Sequence, residues 1–512
     1  RRHTAGRLCE TSMNFLDNIA AGLSLVGNLE AFAALFLGVL IGTIAGAIPG
    51  MSATMAVALT LPFTFSMEAI TAILLLLGVY KGGIFGGSIP AILIKTPGTP
   101  ASSATELDGY PMAEKGQAGK ALGMALWASC TADLISNLAL ILFAGWLASF
   151  ALNFGPPEFF TLILFSLTII AGVSGNSLLR GALSAMLGLL LATVGLDLVY
   201  GTNRFTFGDP NLMGGLNFIA VLIGLFAIPE VLSMVWEPKP HVGKTRSLGK
   251  NSVTFAEYRR CFKSIVRGSF IGVFLGSIPG IGAAPAAFLS YSEARRKSPV
   301  KENFGKGELE GVAASEAGNN GVAGATLIPL LALGIPGDVI TAIIIGAFMV
   351  HGLHPGPMMF ILNVDIIYGL FIGLIVSSVF LLMIGSVAIR GFKYVADIPR
   401  GVLFPGVLVL CIYGVFAVNN NIFDVGVMFV MGWVGFVMLR NDIPAAPFLI
   451  AFILGPLLEN NFRQAMLMSG NSPDILFRGP ITWFFWALTL LTMVAIVRAG
   501  IRATKDLKKK NI

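Results

Sequence analysis

The sequence predicts an all-α, polytopic membrane protein of roughly 10–14 membrane segments, built as two inverted repeats with re-entrant or broken helices. Three observations carry that prediction. Apolar residues make up 55% of the 512 residues and charged residues 12%, about half the charge of a soluble domain. Apolar stretches near twenty residues recur along most of the chain, each long enough for a bilayer core of roughly 30 Å. One such stretch occurs twice: Ile41–Val57 reads IGTIAGAIPGMSATMAV and Ile271–Ala287 reads IGVFLGSIPGIGAAPAA. Without gaps the two share Ile41/Ile271, Gly42/Gly272, Gly46/Gly276, Ile48/Ile278, Pro49/Pro279, Gly50/Gly280, Ala53/Ala283 and Ala56/Ala286. Both put Pro-Gly where a membrane helix would continue. A β-barrel would show short alternating segments instead.

The apolar segments fall at 29–65, 67–94, 118–153, 157–174, 178–200, 213–235, 265–290, 310–351, 358–389, 401–418, 423–439, 443–457 and 482–500. Before them, residues 1–12 (RRHTAGRLCETS) read as a non-native or disordered leader, with a natural start near Met13. No cleavable signal peptide is read, because the first long apolar run, from Leu29, belongs to the repeat. The chain divides into a first repeat half (13–235), a basic loop (236–264), a second half (265–500) and a basic tail (501–512). The 61 glycines and 26 prolines imply close helix packing and deliberate helix breaks.

Charge sets the topology. The net charge of +7 comes from basic residues clustered between apolar spans, which is the bias of cytoplasmic loops rather than a nucleic-acid footprint. Lys239, Lys244, Arg246, Lys250, Arg259, Arg260, Lys263 and Arg267 put the central loop in the cytoplasm, and Arg498, Arg502, Lys505 and Lys508–Lys510 put the C-terminus there too. Segments 401–418 and 423–439 then form one hairpin between inner loops marked by Arg390, Lys393, Arg400 and Arg440. Counting back from the central loop places 95–117 inside, whereas its counterpart at 351–357 lies outside, so the repeats are inverted. Segment 265–290 is basic at both ends, with Arg295, Arg296, Lys297 and Lys301 following it. It is expected to enter and leave on the same face, turning at Pro279-Gly280.

A second pair of breaks follows. Pro90-x6-Pro97-Gly98 matches Pro329-x6-Pro336-Gly337 at an offset of 239 residues, against 230 for the first pair. Interrupted hydrophobic segments at corresponding places in two halves point to a transporter's binding site. An interrupted helix offers free N–H groups and a positive dipole end that suit a carboxylate. The candidate substrate-binding residues are therefore Gly50, Ser52, Ala53 and Thr54 at the first tip and Gly280, Gly282 and Ala283 at the second. Lys95, Thr96, Pro97, Gly98, Thr99 and Ser102, with Pro336, Gly337 and Asp338, complete the set. Lys81 and Lys95 are candidates for charge toward an anion. Glu316, Asn319, Asn320 and Thr326 carry oxygens suited to a coupling Na⁺ or H⁺. Asp133 and Asn137, an i,i+4 pair in apolar sequence, read as a structural polar pair.

Enzyme signatures are missing from the sequence: no GxxxxGK[ST] phosphate loop, no HExxH among His3, His241, His351 and His354, and no nucleophile set beside a base. The four cysteines, Cys9, Cys130, Cys261 and Cys411, have no metal or redox spacing; Cys130 and Cys411 lie in apolar spans and read as packing residues. Without a nucleotide motif, transport is expected to draw on an ion gradient, with no cofactor. No nucleic-acid partner is expected.

At these residues the chain resembles the large membrane subunit of the tripartite tricarboxylate transporters. The resemblance rests on Gly42-x3-Gly46-x2-Pro49-Gly50, on Lys95-Thr-Pro-Gly-Thr-Pro-Ala-Ser102 with Asp108-Gly-Tyr-Pro-Met112, and on Gly276-x2-Pro279-Gly280 and Gly334-Ile-Pro336-Gly337. It runs from about Met13 to the tail. It implies a multi-pass permease of the bacterial inner membrane that imports a di- or tricarboxylate such as citrate by cation symport with alternating access. It also implies two partners, a small membrane subunit and a periplasmic solute-binding protein. A passive channel and a permease for another small solute are the alternatives, and self-association is left open.

Overall fold

A computed structural model of the chain describes residues 15–173, 177–197, 201–236, 252–396 and 400–510. The expected leader at 1–12 and residues 237–251 of the expected basic loop lie outside the described residues. After α1 (Phe15–Gly27) comes a five-helix unit: α2 (Leu29–Ala47), α3 (Ala53–Thr60), α4 (Ala69–Gly86), α5 (Ser88–Ile94) and α6 (Ser102–Glu114). There follow α7 (Ala118–Ala151), α8 (Pro156–Val173), α9 (Leu178–Ala192) and α10 (Phe218–Trp236). A small antiparallel strand pair, Gly195–Leu196 with Asn203–Arg204, lies between α9 and α10. The second unit is α11 (Phe255–Gly276), α12 (Ala283–Lys297), α13 (Leu309–Ala325), α14 (Leu327–Leu333) and α15 (Val339–Val350). The chain closes with α16 (Met359–Leu362), α17 (Val364–Ala396), α18 (Arg400–Asn419), α19 (Ile422–Arg440), α20 (Ala445–Met468) and α21 (Pro480–Lys510). Among the described residues, 7 helical stretches are long and apolar enough to cross a membrane, and shorter apolar helices accompany them. The architecture is the all-α, polytopic one the composition predicts.

The two five-helix units pack reciprocally. The α2·α4 pair in one matches α11·α13 in the other, and between units α6·α12 and α6·α13 match α15·α3 and α15·α4. The long helices follow the same rule: α7 lies on α11 and α13, and α17 on α2 and α4. Reciprocity of this kind marks a pseudo-twofold relation between the halves. Small residues make it possible. A methyl on Gly42 would meet the Val79 carbonyl oxygen at 2.1 Å, and one on Gly272 the Gly318 carbonyl oxygen at 2.7 Å, so the backbones of each pair touch.

The predicted breaks are real. α2 stops at Ala47 and α3 starts at Ala53; α11 stops at Gly276 and α12 starts at Ala283. Gly50 (φ +90°) and Gly280 (φ +83°) take the left-handed region at the two tips, which glycine adopts without steric cost. α11 and α12 fold back on each other as a hairpin. Glu310 accepts from the Ser264 hydroxyl of α11 at 2.6 Å and from the Ser298 hydroxyl just past α12 at 2.7 Å, so both ends lie together. α11 begins at Phe255, within the stretch expected to be loop, because Thr254 and Glu257 form a capping box (Glu257 Oε2 accepting from the Thr254 N–H at 2.9 Å). Lys120 and the Thr254 N–H hold the Glu257 carboxyl down to about 2. α18 and α19 form the expected hairpin, turning through Asn420 (φ +51°).

The core centres on α4 and α13. Tyr80, Phe85 and Leu76 of α4 are buried, as is every residue of α13 from Gly311 to Ala325. Asp108, in α6, ties the halves together from the side. Its Oδ1 accepts three backbone N–H groups, from Gly305 (2.8 Å), Gly307 (2.7 Å) and Glu308 (2.8 Å), and its Oδ2 accepts from the Tyr291 hydroxyl at 2.9 Å. Charge-assisted bonds contribute about 1.5–3 kcal/mol each, and losing the acceptor orphans buried donors. Asp108→Ala is therefore expected to lower the unfolding free energy by more than about 3 kcal/mol, read as a large fall in the thermal unfolding midpoint of the detergent-solubilised chain.

Candidate functional site

The four breaks meet around one cavity of about 650 Å³. Ser52, Ala53 and Thr54, at the start of α3, line it, and so do Gly282, Ala283 and Ala284 at the start of α12. The turn into α6 (Thr99, Pro100, Ala101) and the start of α15 (Asp338, Val339, Ile340) line the rest, closed by Tyr80 and Ile84 of α4, Asn319 of α13, and Ala446 and Ile450 of α20. Another groove, of about 800 Å³, is lined by outward apolar residues including Trp127, Leu134 and Val379 and holds neither repeat motif.

Four helix starts thus face a single space. N-termini carry unsatisfied N–H groups and a partial positive charge, so the cleft favours an anion without a basic side chain. Indeed, among the described residues that line it, none is Lys, Arg or His, and the one ionisable carboxylate is Asp338. Asp338 caps α15: Oδ1 accepts from the Thr341 N–H at 2.7 Å, and Oδ2 accepts from the Tyr80 hydroxyl at 2.9 Å. The Tyr80 hydroxyl is also 3.3 Å from the Thr326 hydroxyl. Ser52 caps α3 by accepting from the Met55 N–H at 3.2 Å. Within the second unit, the Gly280 N–H donates to the Gly337 carbonyl at 2.7 Å, so its two breaks touch. In the first unit a methyl on Gly98 would meet the Gly46 carbonyl oxygen at 2.6 Å.

Of the residues singled out in the sequence, Ser52, Ala53, Thr54, Thr99, Gly280, Gly282, Ala283, Asn319 and Asp338 line the cleft. Gly50, Pro97, Gly98, Pro336 and Gly337 shape the breaks behind it. Thr96 bonds the end of α5, its N–H donating to the Pro90 carbonyl at 3.3 Å, and Ser102 pairs with Thr99 at 2.6 Å between hydroxyls. Lys95 is exposed, takes a left-handed turn at the end of α5 (φ 57°) and stands 5.6 Å over the Tyr110 ring. Lys81 is buried away from the cleft. Its ammonium lies 2.9 and 3.0 Å from the two Asp133 carboxylate oxygens and donates to Asn137 Oδ1 at 2.9 Å and the Leu374 carbonyl at 3.1 Å. Both lysines therefore have structural neighbours and no cleft surface. Asp133 and Asn137 form a structural polar pair, as read, with Lys81 as its counter-ion.

Glu316 also sits behind the lining. Its carboxylate accepts from Ser88 (2.5 Å), Thr105 (2.5 Å), Ser129 (2.8 Å) and Asn320 (3.3 Å); Asn320 in turn donates to Ser129 at 2.8 Å. Thr326 reaches the site only through Tyr80. Sequence reasoning passed over Tyr80, Ala446 and Ile450. Tyr80 carried a usable signal, since the 239-residue offset aligns it with Asn319; α20 carries none, being plain apolar sequence.

Residues 32–450 match the family model described as the tripartite tricarboxylate transporter TctA family. An uncharacterised 52.8 kDa protein of Agrobacterium vitis, in the TAR-I ttuC' 3' region, is 35% identical over 494 residues, covering 96% of this chain and 98% of that protein. A second uncharacterised protein of the same organism, in the TAR-II ttuC' 3' region, is 34% identical over 235 residues, covering 46% of this chain and 97% of itself. No solved structure matches.

The buried Lys81–Asp133 pair makes a direct prediction. Removing one partner strands a charge and costs about 3–5 kcal/mol, while replacing both by apolar residues is near neutral. Lys81→Met is expected to destabilise the chain by that amount, and Lys81→Met with Asp133→Leu to recover most of it, both read from unfolding midpoints. Equal loss in the single and double variants contradicts the assignment.

Proposed function

The chain belongs to the tripartite tricarboxylate transporter TctA family, and we propose that it is the large permease subunit of a secondary active system importing an organic di- or tricarboxylate. In that reading the acid is citrate or a close relative, delivered by a periplasmic solute-binding protein in the bacterial inner membrane. A small membrane subunit completes the complex. The family is one of transporters, and the helices mark a multi-pass membrane protein.

The observation that supports a carboxylate is the convergence of four helix starts on a cleft with no basic side chain among its described lining residues. The same observation supports cation symport. A di- or tricarboxylate entering beside the Asp338 carboxylate brings several negative charges into a low-dielectric site, and helix ends worth about half a charge each do not balance them. A co-bound Na⁺ or H⁺ does. The place for it is the Asp338 end of the cleft, where the Tyr80 and Thr326 hydroxyls gather. Two hairpins related by pseudo-symmetry suit a site that opens to each face in turn.

Uptake of labelled citrate and other di- and tricarboxylates into proteoliposomes tests this reading. The chain is reconstituted with its small subunit and binding protein, with and without an inward Na⁺ or H⁺ gradient. Accumulation that follows one gradient and needs the binding protein is the expected result. Equilibration indifferent to both gradients identifies a channel instead. Asp338→Asn is expected to weaken gradient-driven accumulation at least about tenfold, because it removes the charge that holds the cation.

A further inference from the structure

The repeat makes the two ends of the cleft comparable residue by residue, and they differ. The 239-residue offset pairs Tyr80 with Asn319, Thr99 with Asp338, and Ser102 with Thr341; the 230-residue offset pairs Ser52 with Gly282. At one end the groups that the repeat pairs are bonded. The Tyr80 hydroxyl donates to Asp338, Asp338 caps α15, and Ser52 caps α3. The starts of α3 and α15 pack together there.

At the other end the equivalent bonds are not made. Asn319 and Thr99 stand where Tyr80 and Asp338 stand opposite, and both line the cleft. The Thr99 hydroxyl is engaged with Ser102. The Asn319 side chain is 1% exposed, and its Nδ2 is buried without a hydrogen-bond partner. Gly282 supplies no side-chain cap to α12. That uncapped start lies at this same end: Ala287 of α12 packs with Ala101 and Ala104 of α6, with Ala283 and Ala284 against them. A methyl on Gly318, next to Asn319, would meet the Ala286 carbonyl oxygen at 2.6 Å. So an unpartnered amide donor and an uncapped helix start share one end of the cleft, and Asp338, the carboxylate among its described lining residues, sits at the other. A buried donor left unpaired bears the full loss of its hydration, and a ligand oxygen relieves it.

We infer that Asn319 is a specificity-determining residue whose amide nitrogen, with the uncapped start of α12, binds one carboxylate of the acid and so fixes a single orientation, that carboxylate pointing away from Asp338. The inference rests on the carboxylate reading of the cleft. It makes a site built from a repeat behave asymmetrically toward its ligand. It also moves Asn319 from the coupling-ion candidates to the substrate, because an amide NH₂ group donates to an anion and offers a cation no lone pair.

The test is equilibrium binding to the full chain in lipid nanodiscs. Citrate, tartrate and succinate are titrated, and the tightest of the three is compared with its monoamide. Asn319→Leu is expected to weaken the acid at least about tenfold, the effect of a lost bond to a charged group. Its thermal unfolding midpoint is expected to hold or rise, since an unpartnered buried amide has been removed. Asn319→Asp is expected to turn preference toward the monoamide, whose NH₂ donates to the new carboxylate. Wild-type affinity in Asn319→Leu overturns the inference, and so does a loss of affinity matched by a fall in midpoint, which marks a structural role. Failure of the wild-type chain to bind any of the three acids overturns the carboxylate reading itself, and this inference with it.

Discussion

A helix broken inside a bilayer leaves backbone donors and acceptors that lipid cannot satisfy, so every break must be sealed by protein or open onto a polar cavity. This chain has four helix breaks in two repeat units, and its architecture follows from housing them. Breaks of the same unit abut: Gly280 donates to Gly337 in the second, and Gly98 presses on Gly46 in the first. Two helix starts are capped by Ser52 and Asp338. What is left unsealed faces the cleft, and that remainder is positive in character. The anion preference proposed for the cleft would then be a by-product of the way the fold disposes of its broken helices.

Holding four breaks at one place requires the two halves to keep register, and buried charges do this. Asp108 of the first unit gathers three N–H groups and Tyr291 of the second. Glu316 of the second unit is held by Ser88 and Thr105 of the first and by Ser129 of α7. The Lys81–Asp133 pair is completed by Leu374 and Ser378 of α17. Each group is costly to bury alone and is satisfied only when both halves are in place. Such groups favour one arrangement of the halves over displaced ones, because any slip strands a charge. The specific run around Lys95 to Met112, which reads at first as binding sequence, is in this light largely a joint: Lys95 ends a helix and Asp108 clamps the other unit.

The breaks were legible in the sequence because backbone geometry leaves few residue choices there. Pro-Gly inside an apolar run, repeated at a constant offset, needs no partner to be understood, and Gly50 and Gly280 adopt the same conformation at both tips. The hairpin of α11 and α12, whose limbs meet at Glu310, was legible from basic residues at both of its ends. Side-chain roles were less so. Lys81 looks like an anion ligand until Asp133 is seen beside it, and a sequence separation of 52 hides the contact. Glu316 and Asn320 share the helix of Asn319, but only the helix's rotation, set by packing on α7 and α12, decides which of them faces the cleft. Tyr80 was recoverable from the repeat alignment, whereas Ala446 and Ile450 enter the wall through a helix whose sequence marks only burial.

Charge balance is the central claim of the proposal: a cleft whose described lining holds Asp338 and no basic side chain would take a multiply charged acid only together with a cation. Binding linkage tests it most directly, since acid and cation must raise each other's affinity by the same factor. The measurement is the dissociation constant of citrate for the full chain in nanodiscs, across a series of Na⁺ concentrations and, separately, of pH. The account predicts that affinity climbs steeply with Na⁺ or with acidification, and that Asp338→Asn flattens the dependence. Citrate affinity indifferent to both Na⁺ and pH would contradict it.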